Sequence, residues 1–172
     1  MNMSRLKRIF VGLIIGLVLA AGLSAAPSAT GSITLSGTQG NILSIPAVTG
    51  GAATTLALTT AVSNLVIGTV TELSNDTAGY KVTISSANAL AKLSNTASLT
   101  STTTPDFLPY TIEYGGTAVT FASGVGPVIT SASTKTPLAG IVRNITVSFD
   151  GTAANLSSGF YSDTLTFTII AN

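Results

Sequence analysis

The chain has 172 residues, of which 45% are hydrophobic and only 8% charged, with a net charge of +1. Globular proteins usually carry about 25% charged residues, so Ser, Thr, Gly and Ala must cover much of the surface, while the apolar content is too high for a disordered chain. There is no Cys, His or Trp, which excludes disulfide bonds, thiolate chemistry and the commonest general base and metal ligand. The length predicts one domain. Packing of its core must stabilise it without the help of disulfide bonds.

The first 26 residues are typical of a secretory signal peptide. Arg5, Lys7 and Arg8 precede an apolar run over residues 9–19, predicted to be helical, and small residues follow up to Ala26, as expected around a cleavage site. An uncleaved signal anchor is the alternative, although the run is short for a membrane span of about 20 residues. After cleavage four basic and six acidic residues remain, for a net charge of −2. We therefore expect no binding to nucleic acid, and membrane contact only through the leader.

Most of the remaining chain alternates between apolar and polar residues, the pattern of half-buried β-strands. The regular segments, separated by turn-forming residues, are 31–37, 41–45, 55–62, 64–71, 80–85, 110–114, 118–121, 144–149 and 161–170. Weaker signals at 98–99 and 128–129 predict short strands, and residues 87–104 are otherwise a loop with at most a short helical turn. Seven to nine short strands without a long helix predict an all-β fold, an immunoglobulin-like antiparallel β-sandwich over residues 41–172.

The last predicted strand, residues 161–170, is the most regular. Leu165, Phe167 and Ile169 fall on one face and threonines on the other, because side chains of a strand point alternately to its two faces. Such a strand needs partners along both edges, since an open edge is a template for pairing with another chain.

Five segments, taken in order, carry a resemblance to a known family. They are residues 31–37, 67–75, 79–88, 110–116 and 159–167, the last reading Gly-Phe-Tyr-Ser-Asp-Thr-Leu-Thr-Phe. The chain resembles secreted subunits of the spore coat protein U type, which belong with the archaic chaperone–usher pilins. It departs from many relatives in lacking a Cys pair near the first strands and in ending with Ala171-Asn172 rather than an aromatic residue.

The resemblance implies an incomplete immunoglobulin-like sandwich whose missing strand comes from the N-terminal extension of a neighbouring subunit. The extension would be residues 27–40, with donor residues Gly31, Ile33, Leu35 and Gly37. The acceptor edge would carry Tyr161, Leu165, Phe167 and Ile169. The resemblance also implies a periplasmic chaperone that fills the groove before assembly, an outer-membrane usher, and passage through the periplasm to the cell surface or a fimbrium.

The physical pattern agrees with strand donation, because Ile33 and Leu35 share one face of an extended segment and could fill pockets beside a sheet edge. An ordinary first strand within the same molecule is the alternative, so the sequence leaves open whether this segment pairs within or between chains.

We therefore expect a structural subunit of a surface fibre or coat that assembles with copies of itself. The alternative is a monomeric secreted or surface β-sandwich that binds carbohydrate or protein. No nucleophile–base pair is present, and we predict no catalytic residue, metal or cofactor. Asp163 is a candidate catalytic acid or ion ligand, and the cluster of Glu72, Asn75 and Asp76 is a candidate Ca²⁺ site. They are better explained as strand-entry and turn residues.

Overall fold

A computed structural model describes residues 29–123, 126–152 and 155–172. The chain divides into two compact units, Met1–Thr38 and Gln39–Asn172. The predicted signal peptide, with its helix and cleavage site, lies outside the described residues. Within the described ranges, no helix is long and apolar enough to cross a membrane.

The regular secondary structure of the unit Gln39–Asn172 consists mostly of β-strands. In chain order these are β1 (Leu43–Ser44), β2 (Ala47–Thr49), β3 (Ala61–Ser74), β4 (Tyr80–Ser86), β5 (Ala97–Ser101), β6 (Phe107–Tyr114), β7 (Thr117–Val119), β8 (Val128–Ala132), β9 (Ile141–Asp150), β10 (Tyr161–Ser162) and β11 (Leu165–Ala171). A short 3₁₀ helix (Gly51–Thr54) precedes β3, and one short α-helix, α1 (Ala87–Lys92), follows β4.

The strands form two antiparallel sheets. The larger sheet has the order β1-β3-β9-β6-β5-β10, with β2 also pairing β3 and β7 also pairing β6. The smaller sheet has the order β11-β4-β8. The predicted all-β antiparallel sandwich is therefore confirmed.

The hydrophobic core lies between the sheets, because the long strands alternate between inward apolar and outward polar residues. Strand β4 contributes Val82 and Ile84, and β9 contributes Ile145, Val147 and Phe149, all of them buried. A ring pair joins the two sheets, since the centroids of Tyr114 in β6 and Phe167 in β11 are 5.9 Å apart. Such a contact adds to the stabilisation from burial of the rings.

The predicted strand over residues 55–62 is wrong for most of its length, since β3 begins only at Ala61. The hydroxyls of Thr54 and Thr55 donate to the carbonyl of Gly51, at 3.0 and 3.2 Å. These local bonds compete with the sheet for the backbone. Leu56 and Leu58, the basis of the prediction, are half-buried against the core from a turn rather than a strand.

The segment after β4 is more ordered than predicted. Helix α1 begins at Ala87 because the Ser86 hydroxyl accepts the N–H of Ala89, at 3.0 Å, as an N-cap. It ends where Leu93 adopts the left-handed conformation, with φ of 51°. The predicted short strands near 98–99 and 128–129 are confirmed as parts of β5 and β8.

Candidate assembly groove

Strand β11 lies at the edge of the smaller sheet, with β4 as its neighbour, and no strand of the described chain is hydrogen-bonded to its other edge. The carbonyl of Thr164 accepts the N–H of Ala87, and the N–H of Asn172 donates to Gly79. Even-numbered residues therefore direct their backbone groups to β4, and the odd-numbered residues Leu165 and Phe167 direct theirs to the open edge. An open edge of this kind is a template for another strand.

A groove opens between the two sheets beside this edge. Its volume is about 280 Å³. We call it the assembly groove and define it by its lining residues: Ala47, Val48, Thr49, Ala53, Leu56, Ile67, Gly68, Thr69, Val70, Leu99, Tyr110, Ile145, Val147, Phe149, Asp163, Thr164, Leu165 and Phe167. Strand β2 and the 3₁₀ helix form one wall, and the first half of β11 forms the other. The floor of the groove includes three residues of the hydrophobic core: Ile145, Val147 and Phe149. The core is therefore accessible from this groove.

The two walls of the groove are edge strands of different sheets. Strand β2 pairs with β3, and β11 pairs with β4, but they do not pair with each other. The side chains of Leu165, Phe167 and Ile169 are consequently only half-buried, although they face the core. Among the described residues, no strand therefore lies between β2 and β11 to cover this side of the core.

A polar cluster around Asp163 closes the end of the groove where β11 begins. The carboxylate of Asp163 accepts the hydroxyls of Ser86, at 2.6 Å, and Tyr110, at 2.7 Å. It also accepts the backbone N–H groups of Asn88 and Thr164, at 3.1 and 2.7 Å. Burial, together with the bond to Asp163, raises the pKa of Tyr110 well above its usual value. Asp163 therefore fixes the point where the chain enters β11, which supports the structural interpretation of this residue.

A second carboxylate, Glu72, is fully buried between the sheets. It accepts the hydroxyls of Tyr80 at 2.8 Å, Tyr114 at 2.7 Å and Thr130 at 2.6 Å. The Nε of Arg143 lies 3.5 Å from the same carboxylate. Glu72, Tyr114 and Arg143 belong to the larger sheet, and Tyr80 and Thr130 to the smaller one. The cluster ties the two sheets together in a chain without cysteines.

The tyrosines of this cluster are held in their neutral form. Burial raises the pKa of Tyr80 to about 12, and its bond to Glu72 adds to the shift. Burial and the bond to Glu72 also raise the pKa of Tyr114. A carboxylate favours the protonated phenol that donates to it, so the cluster is stable only while both tyrosines keep their protons.

The predicted donor residues belong to the other unit, Met1–Thr38, of which residues 29–38 are described. These residues form no strand in the single chain, contrary to the regular strand that the alternation predicts. Ile33 and Leu35 are 91% and 92% exposed. A Cβ added at Gly31 or Gly37 would meet no atom within 4 Å. In the described part of the chain, the segment is thus an exposed apolar element outside any strand.

The structure brings together part of the predicted acceptor row. Leu165 and Phe167 line the assembly groove, and Ile169 shares their face further along β11. Tyr161 does not belong to this row, since it lies in β10, which pairs with β5 of the larger sheet. Its hydroxyl donates to the carbonyl of Ser157, at 2.9 Å. The prediction of one strand over 161–170 is therefore wrong.

Sequence reasoning missed the opposite wall and both carboxylate clusters. Strand β2 has only three residues and follows Pro46, so it gave no strand signal. Glu72 did give a signal in the sequence, because it alternates in step with Val70 and Ser74, whose side chains point inward from β3. A charged residue at an inward position of a long strand indicates a buried, hydrogen-bonded carboxylate.

No protein-family model matches the chain, and a comparison with curated proteins finds no significant similarity. The function must therefore be inferred from the groove, the open edge and the exposed N-terminal segment.

Proposed function

We propose that this protein is a secreted structural subunit of a surface fibre or coat, and that its N-terminal segment completes the sandwich of a neighbouring copy. The observation that carries the proposal is the open edge of β11 beside a groove with an apolar floor. A sandwich core that is open beside an edge strand is an incomplete structure, and adding a strand there buries apolar surface and pairs backbone groups at once.

The segment 31–37 has the properties that such an added strand needs. It is seven residues long, as is β11, so both span about 23 Å when extended. The groove volume of about 280 Å³ is nearly twice that of an apolar cavity that accommodates benzene, roughly 150 Å³. It can therefore hold two aliphatic side chains, and burying Ile33 and Leu35 would contribute roughly 1.5–3 kcal/mol each.

Donor and acceptor lie on different parts of the same chain, so the contact between copies is head-to-tail. Contacts of this kind generate open filaments unless the rotation between copies closes a ring. The proposal thus accounts for a fibre without a further interface. Before assembly a periplasmic chaperone would occupy the groove, and an outer-membrane usher would pass the subunit to the cell surface.

The proposal is tested with the chain that starts at residue 27. Wild-type protein is expected to form ladders on electrophoresis that resist SDS at room temperature and dissociate on heating. The variant with Ile33→Asp and Leu35→Asp should stay monomeric, because two carboxylates cannot enter an apolar groove unpaired. Thr34→Asp is the matched control, since Thr34 falls on the opposite face of the segment, and it should still form ladders.

Two results would contradict strand donation. One is a ladder from the double variant equal to that of the wild type. The other is a wild-type protein that is strictly monomeric at high concentration; saccharide or protein binding by that monomer would then favour a secreted binding module.

A further inference from the structure

We propose a specific register for the donated strand, an inference that rests on the proposed function. In this register the segment runs antiparallel to β11, with Ile33 beside Phe167 and Leu35 beside Leu165. The neighbour's Gly37 then lies beside Asp163, and its Gly31 lies beside Ile169.

The backbone of β11 fixes which residues can face each other. Leu165, Phe167 and Ile169 direct both their backbone groups to the open edge and their side chains to the core. In an antiparallel pair, directly opposite residues place their side chains on the same face, and those whose backbone groups point towards the partner strand exchange both hydrogen bonds with it. Each inward donor residue must therefore lie opposite an odd-numbered residue of β11, and a slip of one residue would turn Ile33 and Leu35 out to solvent.

The position of the groove selects one of the remaining registers. The groove is lined by Leu165 and Phe167 of β11, and it reaches Asp163 at one end but does not include Ile169. The two donor side chains fill it only if they lie beside Leu165 and Phe167. A shift of two residues either way would move one of them beside Asp163 or Ile169, outside the apolar part of the groove.

The glycines of the segment fit the two ends of the groove in this register. Beside Asp163 the space is occupied by its carboxylate and by the hydroxyls of Ser86 and Tyr110, which both donate to that carboxylate. A donor residue without a side chain can pass this cluster without displacing it. At the other end, Gly31 lies beside Ile169, which is outside the groove. A residue without a side chain needs no space there.

The direction of the strand is not set by the side-chain pattern, because residues 31–37 read Gly-Ser-Ile-Thr-Leu-Ser-Gly, nearly the same in both directions. The backbone sets it instead. Every strand pair of the described domain is antiparallel, and antiparallel pairing is slightly more stable per residue.

Disulfide cross-linking of the full chain from residue 27 tests the register, because the chain has no native cysteine. Even-numbered residues are used, since Ser32, Thr34, Thr164, Thr166 and Thr168 are exposed and leave the inward side chains untouched. In antiparallel strands these are the closely spaced, non-hydrogen-bonded pairs, with Cα atoms about 4.5 Å apart, close enough for a disulfide.

The expected result is a covalent ladder, resistant to heat and removed by reductant, from Thr34→Cys with Thr166→Cys and from Ser32→Cys with Thr168→Cys. Ser32→Cys with Thr164→Cys is the matched control for a parallel strand and should remain at least tenfold less linked. Thr34→Cys combined with Thr164→Cys or Thr168→Cys is the control for a shift of two residues. These pairs should also remain at least tenfold less linked than the expected pairs.

The outcomes separate the register from the proposed function. Thr34 would lie beside Thr166 in a parallel strand as well, so the direction is decided by the Ser32 pairs. A ladder from a control pair and none from Ser32→Cys with Thr168→Cys overturns the register or the direction, while strand donation stands. Heat-labile ladders without any cross-link between the segment and β11 overturn the register and place the assembly contact elsewhere. A disulfide within one chain, seen as a faster-migrating monomer, overturns donation to a neighbour.

Discussion

Replacing Leu35 with Ala in the N-terminal segment is expected to weaken its binding to the assembly groove about 60-fold. The substitution removes three carbon groups, each contributing about 0.8 kcal/mol when buried, or about 2.4 kcal/mol in total. Thr34→Ala changes a residue on the opposite face, which stays exposed in the bound strand, and should alter binding less than about threefold.

Fluorescence anisotropy measures this effect directly. The acceptor is the full chain from residue 27 carrying Ile33→Asp and Leu35→Asp, which keeps the groove and cannot donate its own segment. Labelled peptides of residues 29–40, as wild type, Leu35→Ala and Thr34→Ala, are titrated with it. Equal dissociation constants for the Leu35→Ala and Thr34→Ala peptides would refute the reasoning, because inward and outward residues would then contribute alike.

Two further predictions concern the carboxylate clusters. Glu72→Ala should lower the free energy of unfolding by about 3–5 kcal/mol in urea denaturation, since it leaves Arg143 and three hydroxyls without their buried partner. Glu113→Ala, at a half-buried position, should cost less than about 1 kcal/mol, and equal effects would contradict a tie between the sheets. The domain should also unfold cooperatively between about pH 10 and pH 12, seen as tyrosinate absorbance rising together with loss of the circular dichroism signal; independent titration of the tyrosines in a folded protein would count against buried clusters.

The alkaline prediction follows from the raised pKa values of the buried tyrosines. A tyrosine in the unfolded chain ionises near pH 10. Folding raises the pKa of Tyr80 to about 12 and also raises the pKa values of Tyr110 and Tyr114. Their stabilisation is complete below pH 10 and is lost as the pH rises towards the folded values. In this pH range each tyrosine keeps a proton in the folded state that it loses in the unfolded state, so the free energy of unfolding falls by about 1.4 kcal/mol per pH unit for each tyrosine. Three tyrosines together remove about 4 kcal/mol per pH unit, whereas the free energy of unfolding of a domain is usually 5–15 kcal/mol.

The fold class could be predicted because period-two alternation is a local signal. Strands β4, β9 and β11 bury alternate residues, and their sequences show this directly. The same signal failed over residues 55–62, where threonine hydroxyls bond the backbone locally. It also failed for residues 31–37, which pair with no strand among the described residues.

The groove could be predicted only in part. Alternation continues from Tyr161 through Asp163 to Leu165, so the pattern gives no sign that the chain leaves one sheet after β10 and enters the other at β11. The opposite wall, β2, lies more than a hundred residues away in sequence and is three residues long. A contact of this separation leaves no trace in the pattern of either segment.

Amide hydrogen exchange along β11 tests the central claim most directly. In the monomer that carries Ile33→Asp and Leu35→Asp, the amides of Leu165, Phe167 and Ile169 should exchange rapidly, because they face the open edge. The amides of Thr166 and Thr168, bonded to β4, should exchange slowly. Adding the peptide of residues 29–40 should slow the odd-numbered amides and leave the even-numbered ones unchanged. Slow exchange of the odd-numbered amides before any peptide is added would show that β11 already has a second partner, and the claim of an open edge would be wrong.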